Sequence, residues 1–149
     1  MRLGLITSSG GHLAQLLSLR EWWGREDRFW VSFDTPDAVE LLRGERVYWA
    51  HHPTNRDPVN LGRNLALAAK VLARERPEVL VSAGAGVALP FFALGRAAGV
   101  GLVFLEVFDR IEAPSLTGRL LRPWVGAVAL QWEEQRRAYP DGVVIGRTL

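Results

Sequence analysis

Residues 1–17 read M-R-L-G-L-I-T-S-S-G-G-H-L-A-Q-L-L. The apolar run Arg2–Thr7 passes directly into two hydroxyls, two glycines and a histidine. Leucines at helical spacing follow. A strand without polar alternation that turns straight into a helix begins a strand–helix–strand unit. Strands apolar on both sides belong to a parallel sheet covered by helices on both faces.

The same alternation continues to the end of the chain. Runs at Arg28–Phe33, Arg46–Trp49, Glu78–Ser82, Gly101–Val107, Ala127–Gln131 and Val143–Ile145 have strand character. Leu13, Leu16, Leu17 and Trp23 fit a first helix. Thr35-Pro36 is a helix start, a capping hydroxyl followed by proline at the first helical position. Leu61, Leu65, Ala68 and Leu72 share one face of a long helix that stops before Pro77. The expected fold is α/β, a single Rossmann-like doubly wound parallel sheet occupying residues 1–149 as one domain.

Composition supports that reading and removes several functions. The chain is 48% hydrophobic, enough to bury a core and incompatible with disorder. It has no cysteine, which excludes disulfides, thiolate catalysis and cysteine-bound metals. Lys70 is the only lysine among eighteen basic residues, and the arginines are scattered among acids rather than gathered in a stripe, so no nucleic-acid partner is expected. No signal peptide is visible and no run reaches the ~20 apolar residues of a membrane span. The expected location is the cytoplasm.

In doubly wound sheets, ligands collect at the carboxyl ends of the strands. Four loops qualify: Ser8–His12, Ala50–Pro58, Ala83–Gly86 and Phe108–Ser115. S-S-G-G-H places glycines where a strand becomes a helix, a turn that admits a phosphate to the backbone and equally one that any strand–helix junction can use. It matches neither G-x-G-x-x-G nor G-x-x-x-x-G-K-[ST]. His12 is a base, an anion donor or a helix-start cap. S-A-G-A-G, with Gly84 and Gly86, is a second glycine loop on a strand expected to neighbour the first. Glu106 ends an apolar strand, where a carboxylate needs a structural partner or a ligand. Asp109, Arg110 and Glu112 follow it, and for Glu112 a solvated charge is the preferred reading. His51 and His52 are adjacent, so their side chains diverge and no metal is assigned. G-x-S-x-G does not occur.

Taken together, S-S-G-G-H-L, R-F-W-V-S-F-D, H-P-T-N-R, S-A-G-A-G-V-A-L-P-F-F, E-V-F-D-R-I-E-A-P-S-L-T-G-R-L-L-R-P and Q-W-E-E resemble the Alg14-like bacterial polysaccharide biosynthesis proteins along the whole chain, and more distantly the amino-terminal domain of MurG-type enzymes. The resemblance implies one half of a split glycosyltransferase of GT-B type, inactive alone. Its implied partners are an Alg13-like catalytic chain, a nucleotide-sugar donor (a UDP-sugar) and a lipid-linked acceptor, with no further cofactor. This chain would be the acceptor- and membrane-side half. Eukaryotic members carry an amino-terminal membrane helix, whereas Met1 here begins the first strand, so the implied membrane contact is peripheral, on the inner face of the cell membrane.

By the same resemblance Gly10, Gly11 and His12 carry over from the glycine-rich loop of the MurG-like enzymes, and Glu106 from an acidic residue at their acceptor site. Ser8, Ser9, Gly84, Gly86, Asp109 and Arg110 complete the implied substrate-binding set, and His12 and Glu106 are the two candidate catalytic residues. The transfer needs a base near the acceptor hydroxyl and donors near the departing diphosphate. The expected membrane surface is Leu89, Phe91, Phe92 and Leu94, with Leu116, Leu120, Leu121 and Trp124 beside Arg119 and Arg122; the competing reading is that these are core. Two other functions stand beside this one: a scaffold that activates a catalytic chain without contributing a chemical group, and an unrelated nucleotide-binding enzyme such as a reductase.

Overall fold

A computed structural model describes residues 1–148. All seven expected strands form: β1 Arg2–Ile6, β2 Asp27–Ser32, β3 Val47–Trp49, β4 Val79–Ser82, β5 Gly101–Leu105, β6 Ala127–Leu130 and β7 Val143–Val144. They make one sheet in the order β3-β2-β1-β4-β5-β6-β7, with every pair parallel. The helices are α1 Gly11–Leu17, α2 Arg20–Trp23, α3 Pro36–Leu41, α4 Pro58–Glu75, α5 Ala88–Ala97 and α6 Leu116–Leu121, with a 3-10 turn at Glu133–Arg137.

Two cores divide the helices between the sheet faces. On one face Leu13, Leu16, Trp23, Ala38 and Leu42 from α1 to α3 pack on Leu3, Leu5, Trp30, Val81 and Leu105. On the other, Ala68, Val71, Phe91, Phe92 and Leu121 from α4 to α6 pack on Ile6, Phe29, Leu80 and Phe104. This division follows from right-handed crossovers: strands added to the left of β1 put their helices on one face, and strands added to the right put theirs on the other. The first face is therefore covered at β3, β2 and β1 but lacks a helix beyond β4. There Val81, Val103, Leu105 and Ala129 floor an apolar groove of about 300 Å³ walled by Leu19, Trp22 and Ile145.

Three expectations need correction. The first helix is broken: α1 ends at Leu17 and Trp23 lies on α2, where its Nε1 donates to Leu16 O at 2.7 Å and its ring meets Trp30 edge-on. Thr35 precedes α3, with Pro36 at its start, but its hydroxyl donates to Asp37 Oδ1 instead of capping the helix. The buried stripe of α4 is Asn60, Asn64, Ala68, Val71 and Glu75, while Leu61 and Leu65 are 45% and 37% exposed.

The physical reason for the α4 rotation is the backbone of the Ala50–Pro58 loop. Asn64 exchanges two hydrogen bonds with the His51 backbone, at 2.8 and 2.9 Å, and Asn60 Nδ2 donates to Pro53 O at 2.8 Å. Glu75 accepts from Tyr48 and pairs with Arg46. Leaving buried loop groups unpaired costs about 1–3 kcal/mol each, as much as burying a leucine gains. The asparagines therefore face inward.

Candidate functional site

The carboxyl ends of β1 and β4 lie side by side, and their connections leave to opposite faces of the sheet. That divergence opens a crevice, and the two glycine loops stand on its two sides. They meet through His12, whose Nδ1 lies 2.9 Å from Ala83 O. A carbonyl only accepts, so Nδ1 carries the hydrogen, and in the neutral ring Nε2 is then the nitrogen with the lone pair. The ring is half-buried.

Gly84 makes this approach feasible. Its φ is +121°, and a Cβ there would sit 3.2 Å from His12 Cε1 and 3.3 Å from Nδ1. The backbone conformation favours glycine, and a Cβ would also press on the His12 ring. Its N–H donates to the buried Ser82 Oγ at 3.0 Å. A Cβ at Gly86 would meet Thr54 Oγ1 at 3.0 Å, so this loop also fits closely against Ala50–Pro58.

In the first loop Ser8 is buried, Ser9 half-buried, and Gly10 and Gly11 are exposed, with Gly10 at φ 71°. The Gly10 N–H is directed at Asp37 Oδ2, 3.1 Å away. Thr35 Oγ1, and to a smaller degree Gly10 N–H, hold the Asp37 carboxyl below the usual carboxylate range. The turn thus engages an anionic group, and in this chain that group is Asp37.

Glu106 is differently placed. It is fully buried; Oε1 accepts from Val107 N at 3.0 Å, and Oε2 accepts from Ser115 N at 3.1 Å and Tyr139 Oη at 2.5 Å. Burial, and then the Glu106 charge, push the Tyr139 phenol well up. Gly118 packs over the pair so closely that a Cβ there would overlap the Tyr139 hydroxyl. Every neighbour of this carboxylate donates, so it is a brace for the Phe108–Ser115 loop and for α6, not a group open to the crevice.

Asp109, Arg110 and Glu112 are exposed on that loop. Beside Gly86, a groove of about 310 Å³ runs between the start of α4 and α5, with Arg56, Leu61, Asn64, Leu89 and Pro90 on its walls. His52 pairs with Asp34 at 2.9 Å. Among the described residues no three His, Asp or Glu side chains gather as a metal group. The sequence reading did not single out Asp37, Tyr139 or the buried glutamines 15, 131 and 135; for Gln15 the available signal was a polar residue inside a leucine-rich helix.

A single parallel sheet with two glycine loops at its switch point defines a Rossmann-like domain, and solved structures share it. MurG of Acinetobacter baumannii aligns over 89% of this chain and 42% of its own, with a TM-score of 0.73 and 15% identity. The UDP-GlcNAc 2-epimerase of Neisseria meningitidis, bound to UDP-GlcNAc, aligns over 99% and 46%, with a TM-score of 0.72 and 10% identity. The fold is thus that of the amino-terminal half of GT-B enzymes. The chain belongs to the family described as oligosaccharide biosynthesis protein Alg14 like, whose model matches residues 51–148.

A more distant relation joins it to the UDP-N-acetylglucosamine–N-acetylmuramyl-(pentapeptide) pyrophosphoryl-undecaprenol N-acetylglucosamine transferase of Symbiobacterium thermophilum. The two are 35% identical over 88 residues, 59% of this chain and 23% of that protein. The chain therefore spans about a quarter of that relative and under half of the solved structures. The family match includes Ala83–Gly86 and Phe108–Ser115 and begins after Ser8–His12.

Proposed function

We propose that this chain is the acceptor- and membrane-side half of a two-chain glycosyltransferase, inactive alone. In this reading an Alg13-like chain supplies the other wall of the cleft and most of the nucleotide-sugar site. A sugar passes from a UDP-sugar to a lipid-linked acceptor in oligosaccharide or polysaccharide biosynthesis. The observation that carries the reading is His12, tied to the second glycine loop through Nδ1 at the switch point, which leaves Nε2 to serve as the base in the neutral ring.

The acceptor hydroxyl oxygen bonds to the anomeric carbon as the bond from that carbon to the diphosphate oxygen breaks. The electron pair leaves with the nucleoside diphosphate, and the hydroxyl proton passes to His12 Nε2. Ser8, Ser9, Gly10, Gly11, Gly84 and Gly86 line the diphosphate side, with Asp109 and Arg110 on the facing loop. Glu106 holds that loop instead of taking the proton. The donor class is supported by the UDP-linked sugar in the names of the relatives.

A second wall supplied by a partner is supported by the uncovered apolar groove over β4 to β6, a surface a partner chain would cover. Among the described residues no helix is long and apolar enough to cross a membrane. Peripheral contact, on the cytoplasmic face of the membrane in this reading, falls to leucines that remain exposed, Leu61 on α4 and Leu116 and Leu120 on α6, with Arg63 and Arg119 exposed on the same two helices. Phe91, Phe92 and Leu121 are core, which removes them from the expected membrane surface.

One pair of observations favours the scaffold reading: Asp37 occupies the Gly10 N–H, and Glu106 is sealed. The test is transfer from a UDP-sugar to a polyprenyl-diphosphate-linked acceptor, with the chain alone and with its partner. Turnover should require both chains. Robust transfer by the purified single chain would overturn the split-enzyme reading.

A further inference from the structure

We infer that Gln15 is a positioning residue, whose buried side-chain amide sets the Phe108–Ser115 loop against the first glycine loop. This rests on the proposal that those loops form the two sides of one site.

The backbone at the head of the Phe108–Ser115 loop is held mainly by side chains. Phe108 N donates to Gln15 Oε1 at 3.1 Å, and Phe108 O accepts from Trp132 Nε1 at 2.6 Å. Gln135 Nε2 donates to Val107 O and Arg110 O, each at 3.0 Å. Gln15 Oε1 also accepts from Gln131 Nε2 at 2.6 Å, and Gln15 Nε2 donates to Gly11 O at 3.3 Å. All three glutamines are buried. Amides in such a place are costly unless every group is paired, and here every pairing except that of Gln15 with Gly11, which lies within α1, ties one segment to another.

Gln15 differs from the other two glutamines in its place. It stands three residues after His12 on α1, so the two project from neighbouring positions of one short rigid rod. His12 fixes that rod to Ala83 on one side of the crevice, and Gln15 fixes it to Phe108 on the other. The separation between the base and the loop bearing Asp109 and Arg110 is therefore set across less than one helical turn. Gln131 steadies Gln15 from behind: it donates to Glu106 O at 3.0 Å and accepts from the Thr148 N–H and hydroxyl, each at 2.9 Å.

The test compares two variants that a packing role and a positioning role rank in opposite order. Gln15→Met fills the same volume and cannot accept; Gln15→Glu keeps an acceptor for Phe108 N–H and Gln131 but places a charge in the core. Amide exchange on the chain alone should show Phe108 exchanging roughly tenfold faster in Gln15→Met, a factor matching the loss of one buried hydrogen bond. The β1 and β4 amides should be unchanged, and Gln15→Glu should stay near wild type at Phe108.

Unchanged Phe108 protection in Gln15→Met, or equal loss in Gln15→Glu, overturns the inference. If Gln15→Met does not fold, Gln15→Glu decides alone, since retained protection supports the acceptor role and lost protection refutes it. With the partner present, Gln15→Met should lower kcat roughly tenfold with a smaller change in KM. Absence of transfer by the wild-type pair would defeat the transferase reading and leave the exchange result to judge Gln15.

Discussion

His12 and Glu106 both follow sheet strands at the carboxyl edge, and both are groups able to take a proton. One is half-buried, with one nitrogen committed and the other spare. The other is enclosed, with three donors on its two oxygens. The contrast separates a group that holds structure from one with valence left for a substrate. Proximity to a strand end does not distinguish them; the hydrogen-bond inventory does.

Substitutions should divide along the same line. Glu106→Leu leaves Val107 N–H, Ser115 N–H and the Tyr139 hydroxyl without their acceptor inside the fold, and should cost about 3 kcal/mol in denaturant unfolding. His12→Ala removes one hydrogen bond at a half-exposed site and should cost about 1 kcal/mol. On the proposed function, turnover with the partner chain present should nonetheless fall about a hundredfold or more, the usual contribution of a general base. A His12→Ala enzyme with wild-type kcat would erase the contrast and put the scaffold reading ahead.

Tyr139→Phe sharpens the Glu106 side through pH. The phenol is raised above its usual 10.0, by burial first and then by Glu106, so the folded chain keeps a proton that the unfolded chain loses. Its stabilising contribution is complete below pH 10 and declines as pH rises above that value. Tyr139→Phe should lose about 1–2 kcal/mol at neutral pH and show a flatter decline in urea midpoint between pH 9.5 and about 11. Tyr48, raised by burial and by Glu75, should account for part of the remaining slope. An identical alkaline slope in wild type and variant would remove Tyr139 as its source.

The smallest expected effect concerns the outer surface, where buried Phe91 and Phe92 on α5 contrast with exposed Leu61 on α4 and Leu116 on α6. The chain should sediment with anionic liposomes at low salt and be partly released as salt screens its arginines. Arg63→Glu with Arg119→Glu should weaken sedimentation severalfold while leaving thermal stability near wild type. Arg122 is unsuited to this test because its guanidinium lies over the Tyr139 ring. Equal sedimentation of both proteins would remove the arginines from the membrane contact.

The carboxyl-edge loops were legible because glycine, proline and polar residues interrupt otherwise apolar runs, and each interruption falls after a strand. The pairing of His12 with Ala83 was not legible, since 71 residues separate them and only the adjacency of β1 and β4 brings them together. Nor was the inward face of α4. Helical periodicity favoured Leu61 and Leu65, but the loop's backbone required Asn60 and Asn64.

By itself the sequence determined the seven strands, the parallel α/β class and the loops that carry polar chemistry, because these follow from local periodicity and from residues that break it. Only the tertiary structure decided that His12 turns Nδ1 to Ala83 O, that Glu106 is sealed by Tyr139, and that Gln15 ties two loops together. These depend on which groups meet across the sheet. The doubly wound class led the sequence to expect the two glycine-loop strands side by side, but the individual hydrogen-bond partners, distant in the chain, are set by how the side chains pack once it is folded.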